Sequence, residues 1–123
     1  MKLRALLFVP FISLSGAAAC GPSVSDVCSQ FAQVWCQQHY TCISGADLDT
    51  LKTKYGADVA TCVKVFEQQE GCGNTNQLIC PAGTGYDTGR GQECTDDYEK
   101  LSCADIRANT SLSQCELTTY ICH

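Results

Sequence analysis

Apolar residues in the first part of this chain recur with the period of an amphipathic helix. Within residues 25–38 the spacing is i, i+4, i+7 and i+8, which places the apolar side chains on one helix face. That stripe consists of Val27, Phe31, Val34 and Trp35. Ser25 can accept a hydrogen bond from the first-turn backbone and so can cap the helix. We therefore predict a first helix over residues 25–38, ending before Ser44.

The same period predicts two further helices. The second covers residues 47–55 and is followed by Gly56, a residue type that commonly ends helices. The third is capped by Asp58 and runs to Gln69, before Gly71. The apolar faces carry Leu48, Leu51 and Tyr55 in the second helix, and Val59, Cys62, Val63 and Phe66 in the third.

The second half of the chain has a weaker pattern. Residues 73–91 contain five glycines and Pro81, which favour a loop or short extended pieces. Asp87 can start a fourth helix that runs to Leu101, although two glycines lower the helix propensity of its first turn. From residue 105 onward we predict only short turns. The predicted fold class is mainly α, a small disulfide-rich helical domain with long glycine-rich loops and about four short helices.

The N-terminus has the order of a secretory signal: a basic start, an apolar run and small residues. The apolar run, residues 5–14, is too short to cross a bilayer, which requires about 20 residues. We predict a signal peptide over residues 1–19, a lipidated cysteine with a short tether over residues 20–27, and a disulfide-rich domain over residues 28–123.

Two cleavage sites are compatible with this signal. Residues 17–19 are Ala-Ala-Ala, which satisfies the Ala-x-Ala rule of ordinary signal peptidase. Together with Cys20 they also resemble a bacterial lipobox, although Ala17 stands where leucine is usual. The number of cysteines favours the lipobox. If all eleven stayed in the mature protein, one would have no disulfide partner, whereas lipidation of Cys20 leaves ten, which can all pair. We predict lipidation at Cys20 and attachment to a membrane through that anchor.

The residue after this cysteine is Gly21, and in this respect the chain resembles Gram-negative lipoproteins of the outer membrane. The predicted location is therefore the bacterial cell envelope, with a lipid anchor in the outer membrane. Several acyl chains on one residue would anchor the protein stably. The side of that membrane on which the domain lies, periplasmic or external, stays open.

The remaining cysteines are dense enough to indicate a disulfide scaffold of an oxidising compartment. They are Cys28, Cys36, Cys42, Cys62, Cys72, Cys80, Cys94, Cys103, Cys115 and Cys122. Their spacing does not select a pairing. It includes no Cys-x-x-Cys, so neither a zinc knuckle nor a haem attachment site is indicated, and we predict no cofactor and no metal.

The charge of the chain is acidic, with a net value of −5. Loss of Lys2 and Arg4 with the signal peptide would make the domain more acidic still. No basic patch is present, which argues against nucleic-acid binding. An acidic surface also does not favour peripheral binding to anionic lipids.

Four short segments recur in a pattern around the cysteines: Ala-Ala-Cys at the lipidation site, Tyr55-Gly56 before Cys62, Tyr86-Asp87 before Cys94, and Leu101-Ser102-Cys103-Ala104-Asp105. Together they resemble a family, the small cysteine-rich lipoproteins of myxobacteria and related deltaproteobacteria. The family is largely without assigned function. The resemblance implies a lipid-anchored location and a disulfide-rich fold, and it implies no chemistry.

A second pattern consists of Cys36-Gln37-Gln38-His39-Tyr40-Thr41-Cys42 and of Cys94-Thr95-Asp96-Asp97 followed by Cys103. It resembles the active-site helices of secreted calcium-dependent phospholipases. In that family a histidine between cysteines is the general base and an aspartate of a second helix orients it, roles that would fall to His39 and Asp97. However, Trp35 and Asp96 stand in place of cysteines, and Tyr40 replaces the calcium-binding aspartate. We therefore predict that the protein is not an enzyme and keep lipid hydrolysis as a remote alternative.

Other candidate sites have simpler interpretations. Four acidic residues could form a loose calcium site but fit a solvated helix face better: Glu93, Asp96, Asp97 and Glu99. His123 lacks partner ligands at a recognisable spacing. Three aromatic residues could together bind a ligand: Trp35, Tyr40 and Tyr86. Trp35 also belongs to the apolar stripe of the first helix and therefore fits the core.

The predicted function is that of a non-catalytic lipoprotein of the outer membrane or cell surface. It would bind an unknown partner or protect the envelope. The alternative is a secreted inhibitor or toxin-like module that makes contact through residues 73–91.

Overall fold

The computed structural model describes residues 21–73 and 80–123. The predicted signal peptide and the predicted lipidation site Cys20 lie outside the described residues. The prediction of a mainly helical, disulfide-rich fold is confirmed. The described residues form five α-helices in chain order: α1 Val24–Cys42, α2 Gly45–Tyr55, α3 Val59–Glu70, α4 Thr88–Glu99 and α5 Cys103–Arg107. A 3-10 turn over Ser113–Cys115 and a π-helical turn over Leu117–Ile121 follow.

Helix α1 begins earlier than the sequence predicts because its cap is Ser23 and not Ser25. The backbone N–H of Asp26 donates to the Ser23 hydroxyl (3.1 Å), and the Asp26 carboxylate accepts from the Ser23 backbone N–H (3.0 Å). With Ser23 as the cap, the third helical residue is Asp26, whose carboxylate can make this reciprocal capping box; with Ser25 as the cap it would be Cys28, which cannot. The predicted tether is therefore helical from Val24 onward. The helix also extends beyond residue 38, to Cys42.

The ends of α3 follow the sequence prediction closely. The Asp58 carboxylate accepts from the Thr61 backbone N–H (2.7 Å) and so caps the helix. Gly71 ends it in the left-handed conformation (φ 69°), which glycine adopts without the strain of a side chain. Gly56 likewise ends α2 at a positive φ of 104°.

In the C-terminal part the predicted start of the fourth helix is confirmed, whereas α5 was not predicted. Asp87 caps α4, and Gly89 and Gly91 lie within its first turns. Helix α4 ends at Glu99, two residues before the predicted end. Helix α5 forms in a region assigned partly to turns, because Ser102 and Asp105 make a second capping box.

All ten described cysteines pair among themselves in five disulfides. The bridges are Cys28–Cys72, Cys36–Cys62, Cys42–Cys103, Cys80–Cys122 and Cys94–Cys115. The first bridge ties α1 to the turn after α3, the second ties α1 to the N-terminal part of α3, and the third ties the end of α1 to α5. The last two close the C-terminal segment onto itself. Every α-helix except α2 carries a bridged cysteine.

Helix α1 is the centre of the molecule and packs against α3, α4 and α5. The main core lies between α1 and α3 and contains Ala32, Cys36, Cys62 and Phe66. Packed around it are Phe31, Trp35, Tyr40, Tyr55, Val59 and Val63. The predicted stripe of α1 is therefore partly wrong: Val34 lies outside this core, beside a more polar cavity. Within the described ranges, no helix has the length and hydropathy needed to cross a membrane.

Candidate functional site

His39 is a core residue and not a surface histidine. Its ring stacks on Trp35, with ring centroids 3.8 Å apart, and only 9% of the residue is exposed. Its Nδ1–H donates to the Trp35 carbonyl one helical turn earlier (2.9 Å). Burial lowers the pKa of His39, and the Trp35 hydrogen bond opposes this shift. His39 is thus held neutral inside an aromatic stack.

The structure does not assemble the phospholipase-like pair of His39 and Asp97. Asp97 instead forms an ion pair with Lys100 (2.9 Å). Neither a hydrogen bond nor an ion pair joins His39 to Asp97, both of which are described. The group that does face His39 from α4 is Tyr98, whose ring lies parallel to the imidazole at 6.4 Å. Burial raises the pKa of Tyr98 to about 12, so this phenol stays protonated at neutral pH.

The candidate metal ligands are not brought together. Across residues 21–73 and 80–123, no three His, Cys, Asp or Glu side chains are placed to hold a metal ion. Asp96 accepts a hydrogen bond from Gln92 (2.9 Å), and Glu93 accepts one from the Tyr120 hydroxyl. His123 lies 3.5 Å from Asp87, and its neighbour Cys122 is bonded to Cys80.

The three candidate aromatic residues have different surroundings. Trp35 packs in the core against Phe66, at a centroid distance of 5.2 Å. The Tyr40 hydroxyl donates to the Gly56 carbonyl and so ties α1 to the end of α2. Tyr86 lines an apolar pocket. Trp35 therefore lies with the core, as its place in the apolar stripe indicates, and of the three residues Tyr86 is the one that lines the apolar pocket.

This pocket is the candidate functional site. It has a volume of about 160 Å³ and lies between the start of α1, the end of α3, the start of α4 and the C-terminal turn. Its walls include aromatic and aliphatic side chains and the disulfide-bonded cysteines 28, 94 and 115. The apolar side chains are Phe31, Phe66, Tyr86, Leu117 and Ile121. Leu117 is 38% exposed, so apolar surface continues from the pocket to the outside.

Tyr86 takes its place in the pocket wall because α4 has no side chain at Gly91. A Cβ atom built at Gly91 would lie 2.9 Å from two carbons of the Tyr86 ring, which is closer than packed atoms approach. The backbone on either side of Tyr86 is fixed by the C-terminal residues. The Asp87 N–H donates to the Ile121 carbonyl (3.0 Å), and the Gly85 N–H donates to the His123 carbonyl (3.0 Å).

The charged groups at the pocket differ in how they are engaged. Arg90 of α4 donates to the Tyr120 carbonyl (2.8 Å) and lies over the Tyr120 ring. Glu93 accepts from the Tyr120 hydroxyl. Glu70, the last residue of α3, is the charged residue that lines the pocket, and within the described residues it forms no ion pair.

Sequence reasoning did not find this pocket. Its residues come from five separate segments, and the disulfide pairing that joins those segments cannot be read from the spacing. One feature of the sequence did point to it. A glycine inside a predicted helix, here Gly91, can mark a place where another side chain packs against the helix backbone.

No protein-family model, no curated protein and no solved structure shows a significant match to this chain.

Proposed function

We propose that the protein is an exported, non-catalytic binding module of the bacterial cell envelope, held to the outer membrane by a lipid on Cys20. The observation that carries this proposal is the pairing of all ten described cysteines among themselves. These bridges leave none of the ten to pair with Cys20, in agreement with the lipobox-like sequence before it. The five disulfides are themselves compatible with an exported protein.

The apolar pocket supports a role in binding. Small-molecule and side-chain sites are typically concave, mostly apolar and provided with a few polar groups at the edge. The pocket has this composition, with Glu70 as its charged group. It also lies near the proposed anchor, because Cys28 in its wall is about 6 Å along α1 from Val24.

The geometry around His39 supports a non-catalytic role. A general base must reach the proton that it abstracts, but the His39 ring is buried and stacked on Trp35. Asp97, which would have to orient it, is paired with Lys100.

The test is membrane fractionation of the native host protein. We expect the unsubstituted chain in the outer-membrane fraction, carrying radioactivity after labelling with palmitate. The Cys20→Ser variant should lose the label and leave the membrane. Ser25→Ala, a nearby substitution that spares both the cysteine and the Ser23 cap, is the matched control and should behave like the unsubstituted chain.

Other distributions would contradict the proposal. An unlabelled protein in the medium would favour the secreted inhibitor. Calcium-dependent release of fatty acid from phospholipid vesicles, abolished by His39→Ala, would revive the hydrolase.

A further inference from the structure

The pocket has the size of one small ring. An engineered protein cavity of about 150 Å³, lined by Leu, Ile and Phe, binds benzene. The pocket here has a volume of about 160 Å³ and a similar aromatic and aliphatic lining. It can therefore enclose a phenyl ring or a branched aliphatic side chain, but not the length of a lipid acyl chain.

The charge beside the pocket is negative and uncompensated. Glu70 lines the pocket and forms no ion pair among the described residues. Arg90, a basic side chain on the lining helix α4, is engaged by Tyr120. The flanking elements also carry Glu67 and Glu116. A carboxylate ligand would thus be repelled, whereas a cation attached to the ring would be attracted.

The pocket also has an accessible edge. Leu117, at its rim, is the large hydrophobic side chain that stays exposed in the described part of the chain. An apolar residue in such a position gains free energy when a ligand ring covers it. The ring would then lie against Leu117 and Tyr86, with its cationic group outside near Glu70.

We propose that this pocket binds a single aromatic ring that carries a positive charge. Two sources have this chemistry: a free arylalkylamine, and a phenylalanine side chain flanked by lysines in a basic peptide. The inference rests on the proposed binding function and names its ligand class.

The test uses the full chain with Cys20→Ser, exported and purified without detergent, because detergent would compete for an apolar pocket. Amide chemical shifts are followed during titration with 2-phenylethylamine, phenylacetate, n-propylamine and the terminally blocked peptide Lys-Phe-Lys. We expect saturable shifts at Tyr86, Leu117 and Ile121. The amine should bind about three- to tenfold more tightly than phenylacetate at low salt, since one exposed carboxylate contributes modestly. n-Propylamine, which lacks the ring, should bind at least about tenfold more weakly than 2-phenylethylamine.

Glu70→Gln should abolish the preference for the amine over phenylacetate. Glu99→Gln is the matched control, because Glu99 is also exposed but lines the separate cavity beside Val34. It should leave the preference unchanged. Leu117→Ala should weaken both ring-bearing probes alike. Tighter binding of the peptide than of the amine would identify a protein segment as the source, and weaker binding a small amine.

Two results would overturn the inference. If the chain without a pocket substitution binds 2-phenylethylamine and phenylacetate equally well, the proposed preference for a positive charge is wrong, although the pocket would still bind a ring. Absence of saturable shifts with both ring-bearing probes would remove the pocket as a binding site. Neither result would affect the fractionation of the Cys20 variant, so a failure of the anchor and a failure of this ligand class are distinguishable.

Discussion

The two described parts of the chain are stabilised in different ways. Residues 21–73 form three helices around a shared core, in which Ala32, Cys36 and Cys62 are completely buried. Residues 80–123 have shorter elements, and their buried apolar side chains, which are Cys94, Ile106, Ile121 and Cys122, do not belong to that core. The second part is instead closed by two of its own disulfides and by backbone hydrogen bonds between residues 85–87 and 121–123.

This difference shows that the disulfides have two physical roles. The Cys36–Cys62 bridge is itself core material, buried between α1 and α3 and in contact with aromatic side chains. The Cys80–Cys122 and Cys94–Cys115 bridges hold together a segment with little apolar burial of its own. A bridge of the first kind contributes packing as well as chain restriction, whereas a bridge of the second kind contributes mainly restriction.

The largest expected effect is the loss of the Cys36–Cys62 bridge. The Cys36→Ala/Cys62→Ala double variant should lose about 3–5 kcal/mol of unfolding free energy, because a restraint is removed and a cavity is left in the core. The measurement is guanidinium unfolding followed by the fluorescence of Trp35, the single tryptophan, which lies in this core.

The control is Cys80→Ala/Cys122→Ala, which removes a bridge across a longer sequence separation, 42 against 26 residues. Chain entropy alone would make this second bridge the more stabilising by about 0.4 kcal/mol. We expect the reverse order, with hydrogen exchange increased mainly in residues 113–123. If the Cys80–Cys122 variant is the less stable one, the distinction between the two kinds of bridge is wrong.

The next effect concerns Gly91, where the second part packs most closely. Gly91→Ala should destabilise the protein by about 1–3 kcal/mol, because the new methyl group collides with the Tyr86 ring. This loss should exceed the usual gain of about 1 kcal/mol from replacing a helical glycine by alanine. Gly89→Ala is the control, since a Cβ there meets only the Asp87 carboxylate, at 3.1 Å. A stabilised Gly91→Ala protein would show that Tyr86 is not held against α4.

A smaller effect is expected from pH, and it should arise in the first part of the molecule. Above pH about 6.5, the ordinary pKa of histidine, His39 is neutral in both the folded and the unfolded chain. Below that pH the unfolded chain binds the proton first, because burial lowers the pKa of His39 in the folded chain. The unfolding free energy should therefore fall as the pH decreases from about 6.5 toward the lowered pKa.

The measurement is guanidinium unfolding at pH 8.0 and at pH 5.5. His39→Phe keeps the aromatic stack and should remove this part of the pH dependence. An unchanged pH dependence in that variant would show that His39 is not its source.

The smallest effect is expected from Asp97. Asp97→Asn breaks only an exposed ion pair with Lys100 and should change the unfolding free energy by less than about 1 kcal/mol. The pKa of His39, measured by NMR titration, should stay the same. A decrease in that pKa would show that Asp97 does act on His39.

The difference between the two parts also explains how much the sequence could predict. In the first part, periodicity and the stop residues Gly56 and Gly71 located all three helices. The exact cap was missed because Ser23 and Ser25 are equivalent by residue type, and only the reciprocal contact of Asp26 distinguishes them.

In residues 80–123, helix propensity and residue pattern determine the structure less than contacts between distant segments do. Gly89 and Gly91 disfavour a helix by propensity, yet α4 forms because Asp87 caps it and Tyr86 packs over Gly91. The pocket depends on the disulfide pairing, which brings distant segments together and which no spacing rule specifies. Fold class and core were therefore predictable, whereas the candidate site was not.

The most direct test of the proposed lipid-anchored, fully bridged protein is its intact mass after extraction from membranes, with thiol alkylation before and after reduction. We predict a mass equal to residues 20–123 plus lipid, with no cysteine alkylated before reduction and ten alkylated after it. A lipid-free mass, with one cysteine alkylated before reduction, would contradict both the anchor on Cys20 and the proposed place of the protein in the envelope.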